Sequence, residues 1–258
     1  MRKLLAIDGL YITRRMYEAN KDPDSPEKAE AAVRNTVAAM RKLLSMHQPT
    51  HVLPAFDFGG TTWRNEIHPR YRENRAPMPQ ALKDALPMLY ERLHELGLHV
   101  VSQPGVEADD VIATVISRWL REDRGAAVVV ANDKDTYILM AQGALFYEYF
   151  TGEWRDQAWV QEKYGVPPLH MPDLLALCGD DTDGVPGVTG IGVKKAAKLV
   201  QSYGDLDGIM AGAGILKDRI GETLRKEKEL LFLSRDLVHL KTDVQLGITW
   251  KTLAYDMV

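Results

Sequence analysis

Short apolar runs that stop at a polar break recur along the first 150 residues and predict buried β-strands. The runs are rich in aliphatic and aromatic residues, which is typical of strands that are covered on both faces. Four of them occupy residues 4–7, 52–56, 99–101 and 127–130, and residues 145–150 favour a fifth strand.

Between these runs, apolar residues recur at three- and four-residue spacing, which predicts amphipathic helices over residues 27–46, 87–96 and 109–120. Because strands and helices alternate, we expect an α/β fold with a mostly parallel sheet flanked by helices. Beyond about residue 167 only short helices follow, at 173–177, 193–203 and 222–233. The pattern therefore predicts an α/β core over residues 1–167 and a smaller helical module over residues 168–258.

Composition narrows the class of protein. The chain has 258 residues, of which 45% are apolar and 26% charged, so fibrous and disordered classes are excluded. The single cysteine, Cys178, leaves no intrachain disulfide and no cysteine-ligated zinc site, as is typical of a reducing cytosol. The longest apolar run, 126–131, is far shorter than the roughly 20 residues of a membrane span. We expect a soluble cytoplasmic protein that binds no membrane.

Acidic residues follow the predicted strands. Asp8, Asp57 and Asp133 stand at or just beyond the ends of three strands, and further acids follow at Glu107, Asp109, Asp110 and Asp135. The carboxyl ends of parallel strands meet at one edge of a sheet, so these side chains should converge on one crevice. Crowded carboxylates repel one another unless they share protons or bind hard cations, of which Mg²⁺ and Mn²⁺ suit oxygen ligands best.

A structural interpretation competes for each acid alone. Acids in the first turn of a helix cap it and complement its dipole, which would account for Glu107, Asp109 and Asp110. A single Asp after a strand is commonly a turn residue. The coincidence at three strands favours the metal interpretation, because an uncompensated acidic rim would destabilise the fold.

A glycine-rich stretch follows Cys178 and precedes a helix that carries lysines. It contains Asp180 and Asp183, which could join the acidic cluster across a turn. Its spacing fits neither an EF-hand calcium loop nor a Walker phosphate loop. Open backbone N–H groups before a helix can still bind phosphate, although an ordinary turn has the same composition.

Residues 58–87 form a long connection from the end of a strand, rich in arginine, proline and aromatic residues. Connections of this length are usually functional or disordered. Together with the acidic strings, this segment resembles the bacterial and phage 5′→3′ exonucleases and flap endonucleases, whose fold also forms the amino-terminal domain of DNA polymerase I. The resemblance rests on Ile7-Asp8-Gly9, Phe56-Asp57, Trp63-Arg64, Tyr71-Arg72-Glu73-Asn74-Arg75, Asp133-Lys134-Asp135 and residues 105–110, 179–183 and 186–192.

The resemblance implies a PIN-like sheet and two divalent ions, Mg²⁺ or Mn²⁺. One ion would be held by Asp8, Asp57, Glu107, Asp109 and Asp133, and the second by Asp135, Asp180 and Asp183. Asp110 and Asp181 would orient these ligands from behind. Asp8 and Asp133 are then expected to be essential for catalysis, with Arg72 or Arg75 supplying additional positive charge to the phosphate.

The resemblance also implies a helix-three-turn-helix at about residues 174–203, which grips duplex DNA. A potassium ion would lie on the backbone carbonyls of Leu177, Cys178, Val188 and Ile191. DNA phosphates would be met by Gly190, Gly192, Lys194, Lys195 and Lys198, although a solvated helix face would look the same for the lysines. Such contacts position a duplex without reading its sequence.

Residues 58–87 correspond in the resemblance to a helical arch for the 5′ single strand, although this one is short. Tyr71 is then expected to stack on a base, and Arg64, Arg72 and Arg75 to hold phosphates. Arg72 stands where the family commonly has lysine, so the positive charge is kept but the compact ammonium of lysine is lost.

The resemblance implies a DNA substrate with a 5′ flap or a free 5′ end, and the distribution of charge agrees with DNA binding. The net charge is −4, and without the eight proposed carboxylate ligands the remaining chain would carry +4. Two alternatives stay open: a PIN-type ribonuclease with a similar crevice, and a non-catalytic protein that binds branched DNA. We further expect a monomer.

Overall fold

Five strands form one sheet in the computed structural model, which describes residues 2–214 and 218–256. The strands are β1 (Lys3–Asp8), β2 (His51–Ala55), β3 (Ala126–Val130), β4 (Leu145–Glu148) and β5 (Glu153–Arg155). They are ordered β2-β1-β3-β4-β5; β1 to β4 are parallel, and β5 pairs antiparallel with β4. The expected mostly parallel sheet is confirmed.

Helices cover both faces of this sheet. Those of the α/β part are α1 (Gly9–Ala19), α2 (Pro26–His47), α3 (Trp63–Ile67), α4 (Gln80–Glu95), α5 (Ala108–Arg121) and α6 (Gln157–Tyr164). Side chains alternate between the two faces of a strand. In β1, Leu5 and Ile7 belong to the core built with α1, α2 and α4, whereas Leu4 and Ala6 belong to the core built with α5.

The helical module is α7 (Met171–Cys178), α8 (Val193–Tyr203), α9 (Leu206–Ala213), α10 (Arg219–Lys226), α11 (Lys228–Val238) and α12 (Trp250–Leu253). Leu174 of α7 and Leu231 of α11 belong to the same buried cluster as Ile112 of α5. This shared core fixes the turn between α7 and α8, residues 179–192, beside the carboxyl edge of the sheet.

The observed elements differ from the sequence prediction at several places, and the pattern did not predict helices α1, α3, α6, α9 and α12. Residues 99–101 form no strand: Val101 alone bridges to Ala55, because Pro54 has no N–H with which to extend the ladder. Helix α4 begins at Gln80 and contains Pro87, a position where the pattern suggested a start. The single helix expected over 222–233 is two helices with a break at Glu227, and the short strand β5 was not expected.

Gly187 holds the turn between α7 and α8 in a conformation that other residues resist. Its φ is 63°, and a Cβ would lie 2.4 Å from the Gly179 nitrogen. Gly190 has a similar φ of 75°, but a Cβ there would meet no atom within 4 Å.

We expect Gly187→Ala to lower the free energy of unfolding by about 2–5 kcal/mol, since a left-handed backbone and overpacking both destabilise the folded state. Gly190→Ala should cost only about 1–2 kcal/mol, because the backbone penalty acts alone. Urea unfolding of the two variants measures the difference, and equal losses would contradict the close approach.

Candidate metal centre

Asp8, Asp57 and Asp133 meet at the carboxyl edge of the sheet, as the strand ends predict. With Asp109 they line one crevice of about 360 Å³. The Asp8 carboxylate caps α1 by accepting from the Tyr11 N–H at 2.9 Å. The Asp57 carboxylate accepts from the Ala108 N–H at 2.7 Å, which joins β2 to the start of α5.

Burial and neighbouring negative charges oppose ionisation of three of these carboxylates, Asp8, Asp109 and Asp133. Burial, with Asp57 and Asp133 close by, raises the pKa of Asp8 from 3.8 to about 7. Burial followed by the charges of Asp133, Asp8 and Asp57 raises the pKa of Asp109 well above its usual value. The pKa of Asp133 is also raised, first by burial and then by Asp183. The crevice therefore favours any species that supplies positive charge.

The second group of acids lies at the same edge but is partly neutralised. Lys134 Nζ lies 2.5 Å from Asp180 Oδ2, and Arg72 and Arg75 lie 3.3 and 3.2 Å from Asp183 Oδ1. Burial, then Asp133 and Asp183, raises the pKa of Asp135 well above its usual value. A cation bound here would compete with these basic side chains.

Arg72 occupies the space between the two acid groups. Its guanidinium lies 3.0 Å from Glu107 and 3.9 Å from Asp57. The backbone at Arg72 has a φ of 59°, an uncommon conformation for a residue with a side chain. The Arg72 N–H donates to the Asp183 carbonyl at 2.9 Å, which holds this conformation.

Arg64 departs from the expectation that it binds DNA phosphate. Its side chain is 1% exposed and donates to both oxygens of Asp110, at 2.8 and 3.1 Å. It also donates to the carbonyls of Leu237 and His239. Because the side chain is almost fully buried and these four bonds occupy it, the guanidinium presents no donor to a nucleic acid in this structure, contrary to the expectation.

Tyr71 is also buried, which corrects the expectation that it stacks on a base. Its hydroxyl donates to Glu107 at 3.3 Å. Asp110 is completely buried and accepts from Arg64, the Trp63 indole and the Lys241 N–H. Its role in orienting the metal ligands stays a prediction. Asp181 is exposed, so the structure does not bury it behind the ligands.

The donor set fits a hard divalent cation. All the acids offer carboxylate oxygens, and Asp109 Oδ1 is buried without a hydrogen-bond partner in the described ranges. The acids are not preassembled, however: among residues 2–214 and 218–256 no three His, Cys, Asp or Glu side chains already surround one ion position. Binding an ion therefore requires the carboxylates to draw together.

The turn before α8 carries the residues expected to contact DNA and potassium. Gly190, Gly192, Lys194, Lys195 and Lys198 are all exposed, and Lys195 Nζ donates to the Gly190 carbonyl at 2.8 Å. Two of the four carbonyls expected to hold potassium already accept hydrogen bonds: Leu177 accepts from Val188, and Val188 accepts from Ile191. Each carbonyl keeps a second lone pair.

Some crevice residues were missed at the sequence level. Arg14 and Arg15 of α1 line the crevice with Tyr11. They lie about two helical turns after Asp8, and that periodicity could have identified them. The pairing of Lys134 with Asp180 was also missed. Lys134 stands between Asp133 and Asp135 in the sequence, and spacing does not reveal which acid a lysine pairs with.

The raised pKa of Asp8 predicts an unusual pH dependence of stability in the absence of divalent ions. Between about pH 4 and pH 7 the folded chain holds protons on this carboxyl that the unfolded chain has lost. Stability therefore falls as the pH rises through this window. Thermal melts in a chelator should show it, and added Mg²⁺ should raise the melting temperature more at pH 8 than at pH 5. An equal effect of Mg²⁺ at both pH values would contradict this electrostatic account.

Acids that attract cations and arginines that attract phosphate share one crevice, an arrangement suited to enzymes that act on phosphate esters. Comparison with known protein families narrows this class of enzyme further. Residues 3–165 match the 5′-3′ exonuclease N-terminal resolvase-like domain, and residues 166–258 match the 5′-3′ exonuclease C-terminal SAM fold. The chain belongs to the 5′-3′ exonuclease family and is a nuclease.

Curated relatives agree over nearly the whole chain. The flap endonuclease Xni of Psychromonas ingrahamii is 33% identical, covering 98% of this chain and 97% of that protein. Its counterpart in Shewanella amazonensis is 35% identical and covers 96% of each. The resemblance recognised in the sequence is confirmed.

Solved structures share the fold. The phage T5 5′-exonuclease with bound zinc has a TM-score of 0.77 at 22% identity, over 93% of this chain and 90% of that one. The catalytic core of Rad2 in complex with DNA has a TM-score of 0.59 at 14% identity, over 100% of this chain and 83% of that one.

None of the helices in residues 2–214 and 218–256 combines the length and apolar character of a membrane span.

Proposed function

We propose that this chain is a structure-specific 5′-nuclease that hydrolyses DNA phosphodiester bonds at 5′ flaps or free 5′ ends, in replication and repair. The observation that carries this proposal is the shared crevice, in which Asp8, Asp57, Asp109 and Asp133 lie with Arg72 and Arg75. Relatives named flap endonucleases, which cover almost the whole chain, support the choice of substrate.

We assign the divalent ions, Mg²⁺ or Mn²⁺, to two groups of acids. Asp8, Asp57, Glu107, Asp109 and Asp133 would hold the first, and Asp135, Asp180 and Asp183 the second. When bound, two such ions lower the pKa of a water nucleophile and stabilise charge on the phosphate. The T5 5′-exonuclease with bound divalent ions is consistent with this assignment.

The chain's own residues have distinct parts in the proposed reaction. Arg72 and Arg75 contact Asp183 and can exchange this carboxylate for a phosphate oxygen when substrate enters, placing positive charge beside the reacting group. Glu107 holds Arg72 in position from the other side, at 3.0 Å. Asp8 is oriented by the Tyr11 N–H, which restricts where it can bind an ion.

The helical module would grip the duplex on one side of the cut. Exposed Gly190, Gly192, Lys194, Lys195 and Lys198 offer backbone N–H groups and ammonium charges to phosphates. A potassium ion would bind the carbonyls of Leu177, Cys178, Val188 and Ile191. We assign residues 1–167 to the catalytic core and residues 168–258 to this module. We also propose that the enzyme is a monomer and acts in the bacterial cytosol, where its DNA substrate is found.

A 5′-labelled flap duplex, incubated with and without Mg²⁺ and sized at nucleotide resolution, tests the proposal. We expect Mg²⁺-dependent cleavage near the branch point. A matched RNA flap cleaved faster than DNA would favour the PIN-type ribonuclease. Tight binding in chelator with no turnover in Mg²⁺ or Mn²⁺ would favour a branch-binding protein.

A further inference from the structure

Phe58 is a large apolar side chain left in solvent next to an acid that lines the crevice. It is 58% exposed and directly follows Asp57. Gly59 and Gly60 come next, with φ values of 88° and 82°, and a Cβ at either position would meet no atom within 4 Å. The loop at residues 58–61 therefore stands clear of the surrounding structure.

Both ends of this loop are fixed. On the amino side, Phe56 is buried and Asp57 accepts from the Ala108 N–H. On the carboxyl side, the Thr62 hydroxyl donates to Glu107 at 3.2 Å and the Trp63 N–H donates to the Gly105 carbonyl at 2.9 Å. The aromatic ring is thus presented from a short span between two anchors: Asp57, which lines the crevice, and Thr62, which contacts Glu107.

The chemistry of the crevice limits what can meet this ring. A phosphate that reacts beside Asp57 carries a base on each neighbouring nucleotide. Phe58 is one residue away, about 3.8 Å along the chain, and nucleotides are spaced about 3.4 Å along a strand. Phe58 adjoins Asp57 but does not itself line the crevice, and a base likewise lies next to the phosphate that the crevice would hold.

We propose that Phe58 forms a base-binding site that stacks on the nucleobase next to the scissile phosphate and so helps to set the position of the cut. This proposal rests on the proposed function. Aromatic rings stack on bases of any sequence, as a structure-specific enzyme requires. Tyr71 is buried against Glu107 and is not available for this contact. A singly exposed apolar residue is common on surfaces, but this one adjoins an acid that lines the crevice and stands on a loop fixed at both ends.

Steady-state cleavage of a DNA flap by Phe58 variants tests the proposal. Phe58→Ala should raise KM by about 5-fold to about 150-fold, the range that a lost base–aromatic stack spans. Phe58→Tyr should restore KM to within about threefold of the wild-type value because the ring is kept, whereas Phe58→Leu should not. Met46→Ala is the matched control: Met46 is 47% exposed, but α2 places it near the opposite edge of the sheet.

A probe that needs no cleavage separates this proposal from the proposed function. Flaps carrying 2-aminopurine at successive positions around the branch, mixed with protein in chelator, should show quenching at one position with wild-type protein and none with Phe58→Ala. An abasic nucleotide at that position should weaken DNA binding by the wild-type protein as much as the Phe58→Ala substitution does. It should cause no further loss of DNA binding in the Phe58→Ala variant. Cleavage with equal KM for wild type and Phe58→Ala, or quenching that Phe58→Leu retains in full, overturns the stacking site. Absence of cleavage with this quenching pattern intact refutes only the nuclease proposal.

Discussion

Replacing Asp8 or Asp133 by Asn is expected to lower the rate of flap cleavage by at least about 10³-fold, because a bound ion contributes several kcal/mol and each 1.36 kcal/mol is a factor of ten. In chelator at pH 8, above the raised pKa of Asp8, the same variants should unfold at a higher temperature, since each removes one charge from a crowded, buried group. Asparagine still accepts the Tyr11 N–H bond at position 8, so helix α1 keeps its cap. Single-turnover cleavage and chelator melts measure both effects.

Asp181→Asn is the matched control for these substitutions. Asp181 lies in the same acidic run as Asp180 and Asp183, yet it is exposed. Its replacement should change neither the cleavage rate nor the melting temperature. If Asp8→Asn and Asp133→Asn cleave as fast as Asp181→Asn, the crevice is not the catalytic centre.

Arg64→Ala is expected to destabilise the fold by about 3–5 kcal/mol, the usual cost of leaving a buried carboxylate without its partner. Asp110 is completely buried, and Glu107 also lies within 3.2 Å of the Arg64 guanidinium. Lysine at this position should recover only part of the loss, because it cannot donate to both Asp110 oxygens and two carbonyls with the same geometry. Urea unfolding gives the difference in the free energy of unfolding, when the dependence on urea concentration has the same slope for each variant.

Arg70→Ala provides the comparison for Arg64→Ala. Arg70 is 77% exposed and pairs only with Glu73 among the described residues, so its loss should cost no more than about 1 kcal/mol. Equal losses for the two variants would show that the Arg64 network does not support the crevice. Sequence analysis alone assigns both residues to the same arginine-rich segment. The comparison therefore shows which of the two arginines the fold depends on.

The position of the acids could be predicted because it depends on a general rule. Strands that run parallel end at one edge of the sheet, so Asp8, Asp57 and Asp133 follow from the strand pattern and the fold class alone. The same rule needs no knowledge of side-chain contacts. It therefore succeeded although β5 was missed and residues 99–101 form no strand.

The roles of the basic residues could not be predicted in this way. Arg64 and Arg72 lie in one short segment, yet one is buried on Asp110 and the other lies among the crevice acids. The difference arises because α3 packs against the start of α5 and the chain from Leu237 to Lys241, which are distant in sequence. Partner choice in such a network depends on tertiary geometry, and spacing along the chain carries no information about it.

Manganese soaked into crystals of the protein tests the central claim most directly, through the anomalous scattering of the ion. We expect anomalous density between the carboxylates of Asp8, Asp57, Asp109 and Asp133, with these side chains drawn together relative to the metal-free chain. Carboxylates that stay apart with no anomalous density between them, while Arg72, Arg75 and Lys134 keep their ion pairs, would contradict a metal-dependent nuclease centre in this crevice.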